Sequence, residues 1–451
     1  MRSTLVVLAI AGCGSSHVPP TPNHADLVTK IDELAATTLA KTPVAGFSIA
    51  VVWHGKTVLA KGYGLADVAH HTVADADTIY RIGSITKQFT ALAILQLAAA
   101  RRLGIDDELS TLLPDYPLQG KRVTIRQLLT HTSGIHDYET GVPWFREHQA
   151  EARPGAELVA QFAAAPFDFE PGTRWSYSNS GYYLLGQIIE KRSKQTYADY
   201  LRDHVAADGI SYCPDDQRGP HAAQGYAADG KTAAPPIKMV YAYAAGALCA
   251  TAPALAAWAG RLRRDPRWAQ MIVPATLADG SHPAYGFGLF VDTLGGHRVV
   301  FHGGGINGFV STLASYPDDD LDIAVLVNTE SSVADVLGDN IARIVLGIPK
   351  MLASEHPVDS ARAAAIVGSY TLSIGVTFTI ENAGGQLFLR QGDERRALIE
   401  QADGSFAIAE ADGTLILSGG ALRLRFELAG GHATKIIATQ AGLTFEGVPA
   451  K

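Results

Sequence analysis

Ser84 and Lys87 stand three positions apart at the head of a long apolar run, the spacing at which one helical turn brings two side chains onto the same face. A serine hydroxyl is a weak nucleophile at neutral pH and needs a base beside it, and an amine held partly out of water is such a base. The pair alone is a short pattern that a chain of 451 residues meets by chance about once, so its surroundings must decide. Acyl transfer also needs a second proton-handling group and donors for the developing oxyanion. Tyr177-Ser178-Asn179 puts a phenol and an amide on a loop after the turn Phe169-Glu170-Pro171-Gly172. His302-Gly303-Gly304-Gly305 ends a strand, and glycines there let a substrate lie against the strand edge with backbone amides exposed. Taken singly, Tyr177 is an ordinary packed aromatic and His302 a satisfied sheet histidine beside a bulge. Together they form an ordered set, each at the kind of junction its role requires.

These residues need elements to hold them. A helical period over 26–39 leads into a strand at Gly46–Trp53, a turn at His54-Gly55-Lys56 and a returning strand at 57–64. A helix opens near Ser84 and runs through Phe89, Leu92, Leu95 and Leu97 to Leu103-Gly104, apolar on so wide a face that it must be buried. Residues 123–259 read as mostly helical, and strands resume at 285–292, 298–302, 310–316 and 323–328. Strands at both ends with helices between predict an α/β arrangement: one antiparallel sheet shared by the terminal segments, flanked by helices, plus a helical subdomain. From 368 to 447 short alternating runs, among them 376–380, 387–389, 415–417 and 422–426, are punctuated by Gly384-Gly385, Gly419-Gly420 and Gly430-Gly431. Their spacing predicts a small all-β C-terminal domain that closes into a barrel or sandwich, the glycine pairs marking hairpins.

Composition removes several classes. The chain is 47% hydrophobic and carries a net charge of -8 with no run of Lys and Arg longer than a pair, so it is neither disordered nor built to track nucleic acid. Met1-Arg2, the apolar stretch 5–11 and Gly12-Cys13 read as an export signal over 1–12, too short to span a bilayer. Ile10-Ala11-Gly12-Cys13 resembles a bacterial lipobox, which makes Cys13 a candidate lipidation site and the chain an exported, periplasmic or cell-envelope lipoprotein held to the membrane by its lipid alone. Residues 13–24 form a tether. Cys213 and Cys249 remain, in a compartment where a disulfide persists; whether they meet is open. No His-Glu-x-x-His or paired-cysteine metal pattern is present, and Ser133 with His131 and His136 reads as a structural loop.

Ser84-Ile85-Thr86-Lys87, Tyr177-Ser178-Asn179 and His302-Gly303-Gly304 resemble the three signature elements of the penicillin-recognising serine hydrolases, specifically the class C β-lactamase and D-alanyl-D-alanine carboxypeptidase branch. Ile125 to Gly134 and Tyr285 to Leu289 match as well, and the likeness runs from about Asp26 to Leu346. The resemblance implies a β-lactamase/transpeptidase-like fold over 25–349, a linker over 350–366 and a barrel extension over 367–451. It implies that Ser84 forms an acyl-enzyme, that Lys87 takes its proton or poises Tyr177 to do so, and that Tyr177 passes a proton to the leaving group. It further implies that Asn179 orients Lys87 and holds a substrate amide, and that the amides of Ser84 and Gly305 form the oxyanion hole. His302, Gly303 and Gly304 would face the substrate, and no metal or cofactor is needed. Many β-lactamases of this branch carry lysine where His302 stands; histidine resembles the peptidase and amidase members. The expected function is a serine hydrolase cleaving an amide or ester, with a D-alanyl peptide or related cell-envelope compound as substrate. An esterase on the same site is the first alternative, and an inactive lipoprotein acting as a binding module, its barrel contacting an unknown protein partner, is the second.

Overall fold

The computed structural model describes residues 23–216, 219, 221–349, 358–372, 376–392, 394–401, 404–409, 422–440 and 443–450. The signal, Cys13 and most of the tether therefore lie outside the described residues, as does the alternating run at 415–417.

The N-terminal hairpin and the later strands share one seven-stranded sheet, ordered β3-β2-β1-β10-β9-β8-β7. Its strands are β1 (Gly46–Trp53), β2 (Lys56–Asp67), β3 (Thr72–Val73), β7 (Phe290–Leu294), β8 (His297–Ile306), β9 (Phe309–Tyr316) and β10 (Leu321–Val327). The join is the antiparallel register of β1 on β10, from Phe47 opposite Val327 to Trp53 opposite Leu321. Both central strands are buried on both faces, which is why they read as continuous apolar runs. The two-residue alternation still sorts them. Phe47, Ile49, Val51, Ile323 and Val325 point toward helices His24–Lys41 and Val333–Leu346, whereas Ala50, Ala324 and Leu326 point toward the helical subdomain.

A second sheet of three short strands, β4 (Tyr80–Arg81), β6 (Leu248–Ala250) and β5 (Ile210–Tyr212), lies beside the helical subdomain. Two or three residues give no alternation to detect, so these strands are not legible in the sequence. β4 feeds a single 3-10 turn, Gly83–Ile85, and then helix Thr86–Ala99. Ser84 thus sits on the turn before the helix and Lys87 in the helix's first turn. The helix is buried around most of its circumference, as its apolar composition requires.

The C-terminal part is a closed barrel of eight antiparallel strands, β11 (Gly368–Leu372), β12 (Thr377–Ala383), β13 (Gln386–Gln391), β14 (Glu394–Glu400), β15 (Phe406–Ala409), β16 (Arg423–Ala429), β17 (His432–Gln440) and β18 (Leu443–Pro449). Gly384-Gly385 and Gly430-Gly431, all at positive φ, make two of its two-residue hairpin turns. Closure comes from Tyr370, Thr371 and Leu372 pairing with Pro449, Val448 and Gly447. The expected linker over 350–366 needs correction: Ser360–Ile366 is a helix capped by Asp359, and its Ala363 and Ile366 are buried with Phe378, Ile380, Leu424 and Ile436. Its apolar face completes the barrel core, so this segment belongs to the barrel.

Candidate active site

Lys87 is fully buried, and its Nζ lies 3.0 Å from Ser84 Oγ, 2.7 Å from Asn179 Oδ1 and 2.9 Å from the Ala245 carbonyl oxygen. Burial drives its pKa down from 10.5 to about 7, against the opposing pull of Glu139 and Asp137. Near neutrality the amine is therefore substantially uncharged. An uncharged amine has two N–H donors and one lone pair; with Asn179 and Ala245 accepting the two hydrogens, the lone pair is left facing the Ser84 hydroxyl. That is the arrangement a base needs. The Tyr177 hydroxyl also shares a hydrogen bond with Ser84, its ring lies 4.6 Å from Lys87 Nζ, and burial holds its pKa well above 10. Tyr177 is thus a proton donor throughout the neutral range.

Each partner is held by its own local structure. Ser178 caps helix Asn179–Ser193 by accepting from Gly181 N, and Asn179 N donates to Asp137 Oδ1 at 2.6 Å. Asn179 Nδ2 donates to Glu139 Oε2, also at 2.6 Å. His131 Nδ1 accepts from Ser178 N at 3.1 Å, and its ring packs 4.4 Å from that of Tyr177, tilted by 38°. This buried imidazole is neutral because desolvation and Lys87 push its pKa well below 6.5. His131 is therefore a wedge under the Tyr177 loop; Ser133 Oγ meanwhile accepts from Ile135 N, in a local turn.

The Ala245 carbonyl reaches Lys87 because of a strained residue. Tyr243, at φ 38° and ψ -128°, interrupts helix Met239–Gly246, and the next two carbonyls turn inward, Ala244 O to Thr90 Oγ1 at 2.7 Å and Ala245 O to Lys87.

β8 brings the glycines to Ser84 and divides their roles. Gly304 is packed face to face with the chain before Ser84: a Cβ there would stand 1.9 Å from the Ile82 carbonyl oxygen. Gly305 is exposed, has nothing within 4 Å of such a Cβ, and lines the cleft with Ser84, Asn179, Glu139, Ile306 and Asn307. Gly303 and Gly304 are not among the cleft's lining residues.

His302 is the larger correction. It is 2% exposed, with Nδ1 2.5 Å from Gly303 O and Nε2 3.0 Å from Tyr285 Oη. The carbonyl can only accept, so Nδ1 carries the proton and Nε2 accepts from the phenol. Burial and Lys87 lower its pKa to about 3, so it is neutral and offers no positive charge to a substrate. It props Tyr285, whose ring packs 4.7 Å from His131.

Asp137, Glu139, His131 and Ala245 were not assigned to the site from sequence. Only Asp137-Tyr138-Glu139, two acids close after the Thr130–Gly134 segment, carried a usable signal. Among the described residues no cluster of His, Cys, Asp or Glu could hold a metal ion. A roomier cavity of about 600 Å³ lined by Tyr116, Val159 and Lys191 contains none of the groups above.

The family model described as Beta-lactamase matches residues 31–347, which takes in every one of these groups. "Protein flp" of Staphylococcus aureus strain MW2 is 28% identical over 333 residues, covering 70% of this chain. A "D-aminopeptidase" of Brucella canis is 27% identical over 359 residues, covering 75%. In both cases the chain spans 66% of the curated relative's length, just under two thirds. Among solved structures, the octameric penicillin-binding protein homologue from Pyrococcus abyssi aligns over 93% of this chain and 99% of its own at 23% identity and a TM-score of 0.65, a likeness of fold that includes the barrel.

Proposed function

Because the chain belongs to the β-lactamase family of serine hydrolases, we propose that it cleaves amides through an acyl-enzyme on Ser84, with Lys87 as the base, and that it prefers D-aminoacyl substrates bearing a free ammonium group. The observation that carries the first part is Lys87 itself, buried, poised near pH 7 and aimed at Ser84 Oγ from 3.0 Å. In this reading Ser84 Oγ attacks the carbonyl carbon as its proton passes to Lys87. The oxyanion is met by the backbone amides of Ser84 and Gly305, an interaction whose loss costs about 3 kcal/mol in other acyl-transfer enzymes. Tyr177 hands a proton to the departing amine, regains one from Lys87, and the same pair then activates the water that releases the acid.

Glu139 supports the substrate class. Among the described residues it is the one acid lining the cleft and no Lys, Arg or His lines it, and its carboxylate is already oriented by the Asn179 amide. Such a wall suits an ammonium and gives a substrate carboxylate no cationic partner, which favours an aminopeptidase or amidase over a carboxypeptidase or a β-lactamase. The Brucella canis relative named D-aminopeptidase agrees with that direction and with the D configuration. Export and lipidation at Cys13 complete the proposal; the Cys213–Cys249 disulfide suits an oxidising compartment outside the cytoplasm.

The test compares D-alanine amide and short D-alanyl peptides with their L forms, N-acetylated forms and simple esters, and adds a fluorescent penicillin and a fluorophosphonate, using wild type and Ser84→Ala. Ser84-dependent release from the free-amino D-amides is the expected outcome. Turnover of esters alone would move the protein to the esterase reading. Absence of any Ser84-dependent turnover or labelling would leave only the binding scaffold.

A further inference from the structure

Cys213 and Cys249 form a disulfide across 36 residues, both cysteines being 2% exposed. Its place in the fold ties it to the nucleophile. Cys249 lies in β6, opposite Arg81 of β4, and β4 runs straight into the Ser84 turn. The neighbouring β6 residue Leu248 receives Ile82 N on its carbonyl and gives its own N–H to Thr86 Oγ1 at 3.1 Å. Cys213 N donates to Ala247 O at 2.8 Å, and Arg81 Nη2 to Asp215 O, also at 2.8 Å. The ring closed by the disulfide contains Ile237, Ala242, Ala245 and Gly246, four residues that line the cleft, and the strained Tyr243 that turns Ala245 O to Lys87.

The strands concerned pair over only two or three residues, too few to fix a strained carbonyl by themselves. A non-glycine residue at φ 38° persists only where its surroundings over-determine it. The Tyr243 ring packs against Tyr183 and Tyr197 at 4.8 and 5.0 Å, and the disulfide closes the loop that carries it. We propose that the Cys213–Cys249 disulfide is a redox-sensitive latch that clamps the cleft floor against the Ser84–Lys87 turn, so that its reduction lets Tyr243 relax, withdraws the Ala245 carbonyl from Lys87 and slows acylation of Ser84. The inference rests on the acyl-enzyme reading of Ser84. The chemistry is thiol–disulfide exchange with a dithiol: one thiolate attacks a sulfur, the S–S bond breaks, and the reductant's second thiol displaces the mixed disulfide. Two electrons and two protons pass to the cysteines, and the reductant leaves as its own disulfide.

The experiment uses the full chain, oxidised and dithiothreitol-reduced, with Cys213→Ala/Cys249→Ala as a permanently unlatched form and alkylation to count the freed thiols. Amide hydrogen exchange over 83–90 and 243–250 reads the latch without requiring activity; fluorophosphonate labelling of Ser84 across pH reads its consequence. Reduction is expected to speed exchange in both segments and to slow labelling on the order of tenfold to a hundredfold, with recovery on reoxidation. The acid limb of labelling is expected to move upward from pH 7. Asp137, Glu139, His131, His302, Tyr177 and Tyr182, which face Lys87 from the other elements, all lie outside the ring, so that shift reports water reaching the amine. Tyr243→Gly removes the strain together with the ring packed on Tyr183 and Tyr197, and Tyr243→Ala removes the ring alone; only the glycine form is expected to shrink the effect of reduction. Unchanged exchange and labelling in the reduced and alanine forms would overturn the proposal, as would a loss of far-UV dichroism showing a staple for the whole fold. If the oxidised protein labels nowhere, the acyl-enzyme reading fails, and the exchange data still decide the latch.

Discussion

Asn179 Oδ1 accepts from Lys87 Nζ at 2.7 Å while the same amide donates to Glu139 at 2.6 Å, so one carboxamide orients both the amine and the carboxylate. Asn179→Asp loses the donor to Glu139, so one proton is shared across that 2.6 Å pair and the negative charge moves onto the oxygen beside Lys87, raising its pKa. Ser84 labelling by a fluorophosphonate is expected to fall about tenfold at pH 7 and to recover by pH 9, an acid limb moved up by about one pH unit or more. Asn179→Ala instead leaves a buried N–H unpaired, at a cost of about 1–3 kcal/mol in a denaturation curve. A pH profile of Asn179→Asp superimposable on wild type would separate Asn179 from the base.

Glu139 sits at the mouth of the cleft, raised by burial and by Asp137, with Lys87 and Arg146 opposing. Glu139→Gln keeps the shape and removes the charge. For free-amino D-amides KM is expected to rise about tenfold or more, the loss of one charge-assisted contact, with kcat little changed. N-acetylated substrates are expected to be indifferent to the substitution. Equal effects on both substrate sets would mean that Glu139 acts through Asn179 rather than on the ammonium.

Gly304 and Gly305 are neighbours with opposite tolerances. A methyl at Gly304 collides with the Ile82 carbonyl oxygen, which is backbone and cannot step aside, whereas at Gly305 it meets nothing within 4 Å. Gly304→Ala is expected to lower the melting temperature and abolish Ser84 labelling by pushing the turn off the strand. Gly305→Ala is expected to keep stability within about 0.5 kcal/mol of wild type. Parallel thermal melts of the two variants check the contrast.

His131 and His302 both have folded pKa values below the unfolded 6.5, the latter at about 3. Between those limits the unfolded chain binds more protons, so each imidazole removes about 1.4 kcal/mol of stability per pH unit as pH falls below 6.5. His302→Gln keeps an amide for Tyr285 but does not titrate. In urea denaturation the variant is expected to gain on wild type by about that slope between pH 6 and pH 4. A constant difference across the range would mean that His302 is not buried neutral.

The sequence carried the parts of this architecture that repeat. β1 and β10 are long apolar runs, the glycine pairs of the barrel have one conformational use, and Ser84, Lys87, Tyr177 and Asn179 sit at element boundaries legible from turns and periodicity. What it did not carry is created by contact between distant segments. β4, β5 and β6 are too short to show a period, and the pairing of Cys213 with Cys249 depends on their meeting. The roles of His302 and Ala245 depend on which way a side chain or carbonyl points. A histidine before three glycines looks the same in sequence whether it faces a substrate or, as here, Tyr285. The helix Ser360–Ile366 was hidden because seven residues rich in alanine read as a linker until the barrel they plug is present.

Acylation of Ser84 by substrate, with the Lys87 amine as its base, is the step on which the proposed function turns. Its most direct measurement is the mass of the Ser84 peptide from protein acid-quenched during turnover of a D-aminoacyl amide or ester, taken from pH 5 to pH 9. An added acyl mass on Ser84 is expected, with an acylation rate that climbs about tenfold per pH unit below a midpoint near 7 and then levels off. Product formed with no adduct on Ser84, or an acylation rate flat across the same range, would contradict it.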